Sequence, residues 1–190
     1  MSKLLFTLLL FLSYSFSSQS VKSLVTSLLM FEEGTNPQGV CVPYIDSRGY
    51  PTIGYGQLCA AYTVSTDIDA RNACSSYANG CTAAKAKQWL SNEIDQKTNC
   101  ITGSSSINSA YSKASNYRKA IITSMAYQMG CDGLAGFTNT LNLMANGQWD
   151  KASKEMLNSR WASQTPERAQ RHSYVIQNNS CGNFCGYYGW

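Results

Sequence analysis

The spacing of apolar residues predicts that most of this 190-residue chain is helical. Five apolar residues recur three and four positions apart and predict the first amphipathic helix: Val21, Leu24, Val25, Leu28 and Leu29. Gly34 follows this stripe and is a helix-ending residue, so Glu33 lies in the last turn. The helix dipole disfavours a carboxylate at that end of a helix, so the position of Glu33 requires an explanation elsewhere in the fold.

Between residues 40 and 56 the chain changes to β-forming residues separated by turn signals. Branched and aromatic residues at 40–45 and 50–55 flank the sequence Asp46-Ser47-Arg48-Gly49. Aspartate and glycine favour a tight turn, because aspartate bonds to nearby backbone amides and glycine accepts left-handed backbone angles. This segment predicts a small antiparallel sheet built on a hairpin.

Beyond the sheet, the sequence predicts a loop over residues 72–80 and then a series of helices. Thr82 is the predicted N-cap of a helix that continues to about residue 99. The polar residues 101–106 predict a boundary between a mixed lobe and an all-helical lobe. The further helices are predicted over residues 116–129, ending at Gly130, over residues 134–145 and 149–161, and after Thr165 with Pro166 at the first position.

Residues 1–18 have the pattern of a secretory signal peptide. Lys3 precedes nine largely apolar residues, 4–12, and small residues surround position 17. This run is shorter than the ~18 apolar residues that span a bilayer, so we expect cleavage rather than membrane anchoring. The mature chain is then a single domain over residues 19–190, secreted from the cell or delivered to a lysosomal or phagosomal compartment.

Composition and charge argue against several classes of partner. Apolar residues make up 44% of the chain, and the formal net charge of +4 is spread without a basic cluster, so we expect no nucleic-acid binding. No second apolar run is long enough to span a membrane, so we expect no stable membrane insertion. His172 is the only histidine and no paired CxxC motif occurs, so we expect neither a metal nor another cofactor.

The eight cysteines predict a set of disulfides, because an even number of cysteines is usual in a secreted protein with disulfides. They are Cys41, Cys59, Cys74, Cys81, Cys100, Cys131, Cys181 and Cys185. The short loop between Cys74 and Cys81 favours a bridge between these two. The glycine-rich tail from Asn178 onwards is expected to be held by disulfides more than by core packing.

Glu33, Asp46 and Thr52 carry the most informative chemistry in the chain. Two carboxylates across a cleft can cleave a glycosidic bond, because one protonates the leaving oxygen and the other stabilises positive charge or activates water. A threonine hydroxyl can help to hold that water. Taken alone, these residues favour ordinary structural roles, since an aspartate in a turn is usually a turn former and a glutamate at a helix end is usually solvated.

Five sequence blocks, in the same order along the chain, resemble the phage-type lysozymes. They are Phe31 to Gly34, Tyr44 to Gly56, Tyr127 to Gly130, Gly136 to Asn139 and Arg160 to Arg171. The resemblance covers most of residues 20–177. It implies an α+β, mostly helical fold with two lobes: a small sheet lobe over about 31–81, a connecting helix over about 82–99, a helical lobe over about 107–177 and a tail over 178–190.

The same resemblance implies a function and a set of roles. The activity is inverting hydrolysis of the β-1,4 bond between N-acetylmuramic acid and N-acetylglucosamine in bacterial peptidoglycan, in defence or digestion. Glu33 matches the general acid, Asp46 the second carboxylate, and Thr52 the threonine that orients the attacking water. Arg168 matches the arginine that pairs with the acid. Five positions match residues that contact the sugar chain or form the cleft wall: Leu58, Tyr127, Gln128, Phe137 and Thr140. We expect a monomer.

Some positions depart from the family pattern. The connection from Glu33 to Asp46 is longer than usual and contains Cys41, so we expect this loop to be re-routed and tied to Cys59 by a disulfide. Gln57 stands where a histidine is usual. Thr140 stands where a serine is common, which retains the hydroxyl.

Other readings of the sequence are weaker. A non-catalytic peptidoglycan-binding or immune-effector protein on the same fold would not need Glu33, Asp46 and Arg168 together. Killing by membrane disruption is poorly supported by the small net charge. A hydrolase triad is disfavoured because no Gly-x-Ser-x-Gly motif occurs, and His172 is expected at the surface. Trp89 and Trp161 are expected in the core.

Overall fold

The computed structural model describes residues 19–34, 36 and 38–190, so the predicted signal peptide lies outside the described residues. The mostly helical α+β class is confirmed. The elements, in chain order, are α1 (Val21–Glu33), β1 (Tyr44–Ile45), β2 (Pro51–Ile53), β3 (Gln57–Leu58), α2 (Asp67–Ala73), α3 (Ser75–Ala78), α4 (Ala83–Gly103), α5 (Ser105–Lys113), α6 (Asn116–Ala135), α7 (Thr138–Ala145), α8 (Trp149–Leu157), α9 (Arg160–Gln164), α10 (Pro166–Asn178) and α11 (Cys185–Tyr188). Within the described ranges, no helix is long and apolar enough to cross a membrane.

The sheet is antiparallel, with strand order β1-β2-β3. Tyr44 is paired with Thr52 across the first two strands, and Thr52 with Leu58 across the second and third. Side chains of directly paired residues lie on the same face of a sheet. The register therefore places Tyr44, Thr52 and Leu58 in one row.

Two hydrophobic clusters hold the helices together. The larger one fills the helical lobe and includes Ile121, Met125 and Trp161. The smaller one joins α1 to α4 and α6 through Leu24, Leu29 and a few neighbouring side chains. Because α1 packs against both the connecting helix and the helical lobe, its C-terminal residue has a fixed place between the lobes.

Four disulfides are present, but the two predicted pairings are wrong. Cys41 is bonded to Cys81, and Cys59 to Cys74. The predicted loop over residues 72–80 contains the end of α2 and all of α3, which separate Cys74 from Cys81. α2 begins with a reciprocal cap in which the Asp69 backbone N–H donates to the Thr66 hydroxyl and that hydroxyl donates to the Asp69 carboxylate. The remaining pairs are Cys100–Cys131 and Cys181–Cys185.

The predicted polar break over residues 101–106 is shorter than expected, since only Ser104 between α4 and α5 is non-helical. α4 extends to Gly103 because Ile101, fully buried, continues the apolar stripe of Leu90 and Ile94. α5 begins at Ser105 and buries Ile107, Ala110 and Tyr111. The apolar residues of this segment are few, so its helical spacing is weak in the sequence.

The helices of the second lobe follow the predictions with local differences. α6 is kinked at Gly130, where a helix end was predicted, and helical backbone resumes over the next five residues. The predicted segment 134–145 is divided, since α7 begins at Thr138. The predicted segment 149–161 is divided as well, because the Ser159 hydroxyl caps a new helix by accepting from the Ala162 backbone N–H. The last helix begins at Pro166 as predicted.

The C-terminal tail is held by aromatic packing, which corrects the prediction that disulfides hold it. The Cys181–Cys185 bridge spans only four residues of the tail itself. The Trp190 indole N–H donates to the Leu24 carbonyl at 3.0 Å, and Tyr188 is buried against Phe31 and Trp190. The tail therefore covers one side of α1.

Candidate active site

A cleft of about 960 Å³ lies between the sheet lobe and the helical lobe. Its walls come from α1, the sheet, the connecting helix α4, and helices α6, α9 and α10. The four residues predicted to carry the chemistry all line it: Glu33, Asp46, Thr52 and Arg168. The fold thus brings together side chains that are separated by up to 135 positions in the sequence.

Glu33 is the last residue of α1 and faces the cleft. Gly34, with φ of 61°, ends the helix in a conformation that non-glycine residues rarely adopt. The Arg168 Nη2 donates to the Glu33 carboxylate at 2.9 Å and to the Ser124 hydroxyl at 3.2 Å. Because the guanidinium lies beside the helix end, it offsets the unfavourable dipole and explains the position of Glu33.

Asp46 is held by the turn that it begins. Its Oδ1 accepts from the backbone N–H groups of Arg48 at 2.9 Å and Tyr50 at 2.8 Å. Its Oδ2 lies 3.4 Å from the Arg48 guanidinium, and the side chain is 18% exposed. One carboxylate oxygen is therefore fixed by the backbone, while the other makes a long contact with Arg48, and the residue lines the cleft.

Thr52 occupies the centre of the row formed by Tyr44, Thr52 and Leu58. Its hydroxyl donates to the Tyr50 carbonyl at 3.1 Å, and the residue is almost fully buried. All three residues of the row line the cleft. The sheet therefore presents this face to the space between the lobes.

Tyr44 is affected by both carboxylates. Burial, together with the negative charges of Glu33 and Asp46, raises the pKa of Tyr44 to about 12. Its hydroxyl is therefore protonated at neutral pH and is available as a hydrogen-bond donor. Tyr44, Glu33 and Asp46 all line the same cleft.

The helical lobe contributes a wall that is joined directly to the sheet lobe. The Tyr127 hydroxyl donates to the Tyr55 carbonyl at 2.6 Å. A Cβ atom at Gly56 would lie 3.1 Å from the Tyr127 hydroxyl oxygen, and Gly56 has φ of 93°, so this close approach requires glycine. The Gln128 side-chain oxygen accepts from the Trp161 indole N–H at 2.7 Å.

The five residues predicted to contact the sugar chain or to form the cleft wall separate into two groups. Leu58, Tyr127 and Gln128 line the cleft. Phe137 packs edge-on against Trp161, and Thr140 is buried. Neither residue lines the cleft. Direct contact of Phe137 and Thr140 with substrate therefore stays a prediction.

A buried ionic cluster lies behind Glu33 and was not predicted. Glu32, 2% exposed, accepts from Arg171 Nη2 at 2.8 Å and lies 3.6 Å from Arg168 Nε. The Tyr188 hydroxyl of the tail donates to Glu32 at 3.4 Å. The signal in the sequence is the pair of adjacent glutamates, together with two arginines three positions apart on α10, which share a helix face.

His172 belongs to this cluster and is fully buried, so the predicted surface position is wrong. Its Nε2 lies 3.6 Å from the Glu32 carboxylate, too far for a hydrogen bond, and both ring nitrogens lack a partner among the described residues. Charged neighbours on α10 masked the apolar side of the helix, where Ala169, Val175 and Ile176 are also buried.

The cluster shifts two pKa values in the direction that weakens the fold in acid. Burial opposes the charged form of Glu32, but His172, Arg171 and Arg168 lower its pKa from 4.5 to about 2. Burial lowers the pKa of His172 from 6.5 to about 4. Both groups bind protons more readily in the unfolded chain, so unfolding is favoured as the pH falls from about 6.5 to 4 for His172 and from about 4.5 to 2 for Glu32.

We predict that His172→Leu removes the first part of this acid sensitivity. Leucine keeps a buried side chain at this position without two buried nitrogens that lack partners, so stability at pH 7 should be unchanged or higher. The melting temperature of a protein without a histidine tag should fall less between pH 6.5 and 4.5 in the variant than in the wild type. An equal fall in both proteins would contradict this role, since His172 is the only histidine.

Comparison with known proteins agrees with the cleft geometry. The family model described as "Phage lysozyme" matches residues 33–172, beginning at the glutamate that pairs with Arg168. Probable T4-type lysozyme 1 of Dictyostelium discoideum is 29% identical over 170 residues, which cover 82% of this chain and 94% of that protein.

Two other relatives match over smaller shares of their own length. The pre-baseplate central spike protein Gp5 of Enterobacteria phage T4 is 28% identical over 141 residues, which are 70% of this chain and 24% of the spike protein. Probable T4-type lysozyme 2 of Dictyostelium discoideum is 33% identical over 79 residues, which are 42% of this chain and 46% of that protein. The family model spans most of the chain and contains all four cleft residues singled out above. The chain therefore belongs to the phage lysozyme family, whose members are peptidoglycan-hydrolysing glycosidases.

Proposed function

We propose that this protein is a muramidase, which cleaves the β-1,4 bond between N-acetylmuramic acid and N-acetylglucosamine in peptidoglycan. The observation that carries the proposal is the Glu33–Arg168 pair in a cleft that also contains Asp46 and Thr52. Hydrolysis of a glycosidic bond needs a proton donor and a second carboxylate, and this cleft supplies both.

Glu33 is proposed as the general acid. It donates its proton to the glycosidic oxygen, so that the leaving sugar departs as a neutral hydroxyl. Arg168 fixes the carboxylate from one side, and Arg168 is in turn fixed by Ser124 and the buried Glu32. The side chain of Glu33 is 22% exposed, so it can reach a substrate in the cleft.

Asp46 and Thr52 are proposed to place the attacking water. The water adds to the anomeric carbon of the muramic acid residue on the face opposite the leaving oxygen, and its proton passes to the Asp46 carboxylate. Backbone amides hold one oxygen of Asp46 still, which favours a defined position for the water at the other oxygen. The Thr52 hydroxyl has lone pairs left after donating to Tyr50, so it can accept a hydrogen bond from the same water.

The cleft residues Leu58, Tyr127 and Gln128 are proposed to contact the sugar chain, with Phe137 and Thr140 supporting the second wall. We propose that the protein is secreted as a monomer and lyses bacteria in defence or digestion. The leader pattern of residues 1–18 and the four disulfides support secretion, because disulfides persist in oxidising compartments.

The assay that separates this proposal from a non-catalytic binding protein uses purified peptidoglycan free of other cell components. We expect the wild-type protein to clear the suspension and to generate new reducing ends in proportion to the clearing. A binding protein on the same fold would sediment with the peptidoglycan and would generate no reducing ends, and that result would exclude the hydrolase.

We also predict that hydrolysis inverts the anomeric configuration. An inverting enzyme leaves room for water between its carboxylates, whereas a retaining enzyme uses one carboxylate for direct attack. Thr52 and Asp46 line the same cleft, and we expect a water to be held between them. Proton NMR of the first product from a defined muropeptide oligomer should show the α-anomer before mutarotation, and initial β-anomer would contradict the role given to Thr52.

A further inference from the structure

The connecting helix α4 lines the cleft with side chains at a four-residue spacing. Trp89, Glu93 and Lys97 lie on the same helix face and all border the cleft. Glu93 and Lys97 are paired with each other at 2.8 Å. Trp89 is the aromatic member of this row and was expected in the core, but it is only partly buried.

Trp89 is held in place by its neighbours in the sheet lobe. The Tyr77 ring contacts it edge-on, with ring centroids 5.6 Å apart. Tyr77 belongs to α3, which lies between the two cysteines, Cys74 and Cys81, that tie this segment to the rest of the lobe. This contact restricts the orientation of the Trp89 ring, which lowers the entropic cost of ordering it on binding.

The Trp89 indole N–H is free to bind a ligand. The corresponding groups of Trp161 and Trp190 donate to protein oxygens. The Trp89 N–H donates to no partner among the described residues. Its nitrogen is also not one of the buried, unpartnered polar atoms in that part of the chain, so it is accessible to solvent. An accessible donor beside an aromatic ring matches a sugar, which offers an apolar C–H face and hydroxyl or acetamide oxygens at its rim.

We propose that Trp89, with Leu58 of the adjacent strand β3, forms a binding subsite for an N-acetylhexosamine ring of the glycan strand. Leu58 is 40% exposed and lines the cleft, and β3 packs against α4. The sugar face stacks on the indole and covers Leu58, which removes apolar surface from water. This inference rests on the proposed function, because it assigns a further sugar position to the same cleft.

The test measures glycan binding separately from hydrolysis, in protein that carries Glu33→Gln. Chitotetraose and peptide-free peptidoglycan glycan strands are the probes, and isothermal titration calorimetry gives the Kd. We expect Trp89→Leu to raise the Kd about tenfold, since leucine keeps apolar bulk but loses the flat ring. Trp89→Phe keeps an aromatic face and should retain most of the affinity. Trp149→Leu, which removes the tryptophan that packs on Arg118 outside the cleft, is the matched control.

A second measurement leaves Trp89 unsubstituted, so that a loss of folding in Trp89→Leu is not mistaken for a loss of glycan binding. Oxidation by N-bromosuccinimide, mapped by mass spectrometry, should modify Trp89 in the free Glu33→Gln protein and spare it when glycan is bound. Equal oxidation with and without glycan, or an unchanged Kd in Trp89→Leu, would overturn the subsite while leaving the hydrolase proposal intact. Protection of Trp89 in a wild-type protein that hydrolyses nothing would support the subsite and overturn the proposed function instead.

Discussion

Replacing Glu33 by glutamine is expected to lower the initial rate of peptidoglycan hydrolysis at least ~100-fold, because general acid catalysis is worth about 10²–10⁴ in rate. Glutamine has the same shape as glutamate and can still accept a hydrogen bond from Arg168, but it cannot deliver a proton to the leaving oxygen. Binding of peptidoglycan, measured by sedimentation, should change little. The rate is read as clearing of a peptidoglycan suspension.

Glu167→Gln is the matched control for this prediction. Glu167 is adjacent to Arg168 in the sequence, but its side chain is 91% exposed and makes only a 3.8 Å ion pair with Arg171. The same chemical change at that position should leave activity near the wild-type level, because exposed ion pairs contribute little. Retention of more than about a tenth of the wild-type rate by Glu33→Gln would show that Glu33 is not the acid.

Replacing Glu32 by glutamine should have the largest effect on stability. The carboxylate is almost fully buried and is the shared partner of Arg171 and Arg168. Its loss leaves Arg171 with only the distant, exposed Glu167 and leaves Arg168 with Glu33 alone. Removing one partner of a buried ion pair typically costs about 3–5 kcal/mol. We expect a loss of about 3 kcal/mol at pH 7, which is a fall of about 6–12 °C in melting temperature for a chain of this size.

The pH dependence of this variant provides a separate check. The pKa of Glu32 is about 2 when folded and 4.5 in its ordinary state, so its contribution is present above pH 4.5 and disappears as the pH falls towards 2. The stability difference between wild type and Glu32→Gln should therefore shrink in acid. A constant difference between pH 7 and pH 3 would contradict the charge-based account and indicate loss of shape instead.

The two adjacent glutamates show what sequence reasoning could and could not resolve. The end of the helix at Gly34 and the family blocks predicted Glu33 as the residue at the cleft. The role of Glu32 depends on Arg171, His172 and the tail residue Tyr188, which lie 139 to 156 positions away. Local patterns contain no information about such distant partners.

The predicted elements agree with the structure where the apolar face of one helix or the residues of one turn determine the local fold. α1, the hairpin sheet and the start of α10 follow from apolar spacing, turn residues and Pro166. α2, α3 and α5 were missed because they are short and polar. α2 depends on its Thr66 cap, α3 on the disulfides at either end of it, and α5 on the burial of Ile107, Ala110 and Tyr111. Disulfide pairing failed for the same reason, since it depends on where α2 and α3 place Cys74 and Cys81.

Trp89 marks another limit of sequence reasoning. Its helical spacing suits a core residue, and burial of Ala86, Leu90 and Ile94 on α4 confirms that a core face exists. Trp89 lies beside that face, at the border of the cleft. The angle at which the sheet lobe meets α4 determines whether a side chain at this position lies in the core or faces the cleft. This angle is a property of the assembled fold.

The muramidase activity is tested most directly by the identity of the sugar at each newly formed reducing end. Peptidoglycan digested by the wild-type protein is reduced with borohydride and analysed by mass spectrometry, beside a digest made with Glu33→Gln. If Glu33 is the acid of a muramidase, the wild-type digest contains fragments ending in reduced N-acetylmuramic acid, and the Glu33→Gln digest contains at most a trace of them. Fragments ending in reduced N-acetylglucosamine, or equal yields from the two proteins, would contradict this proposal.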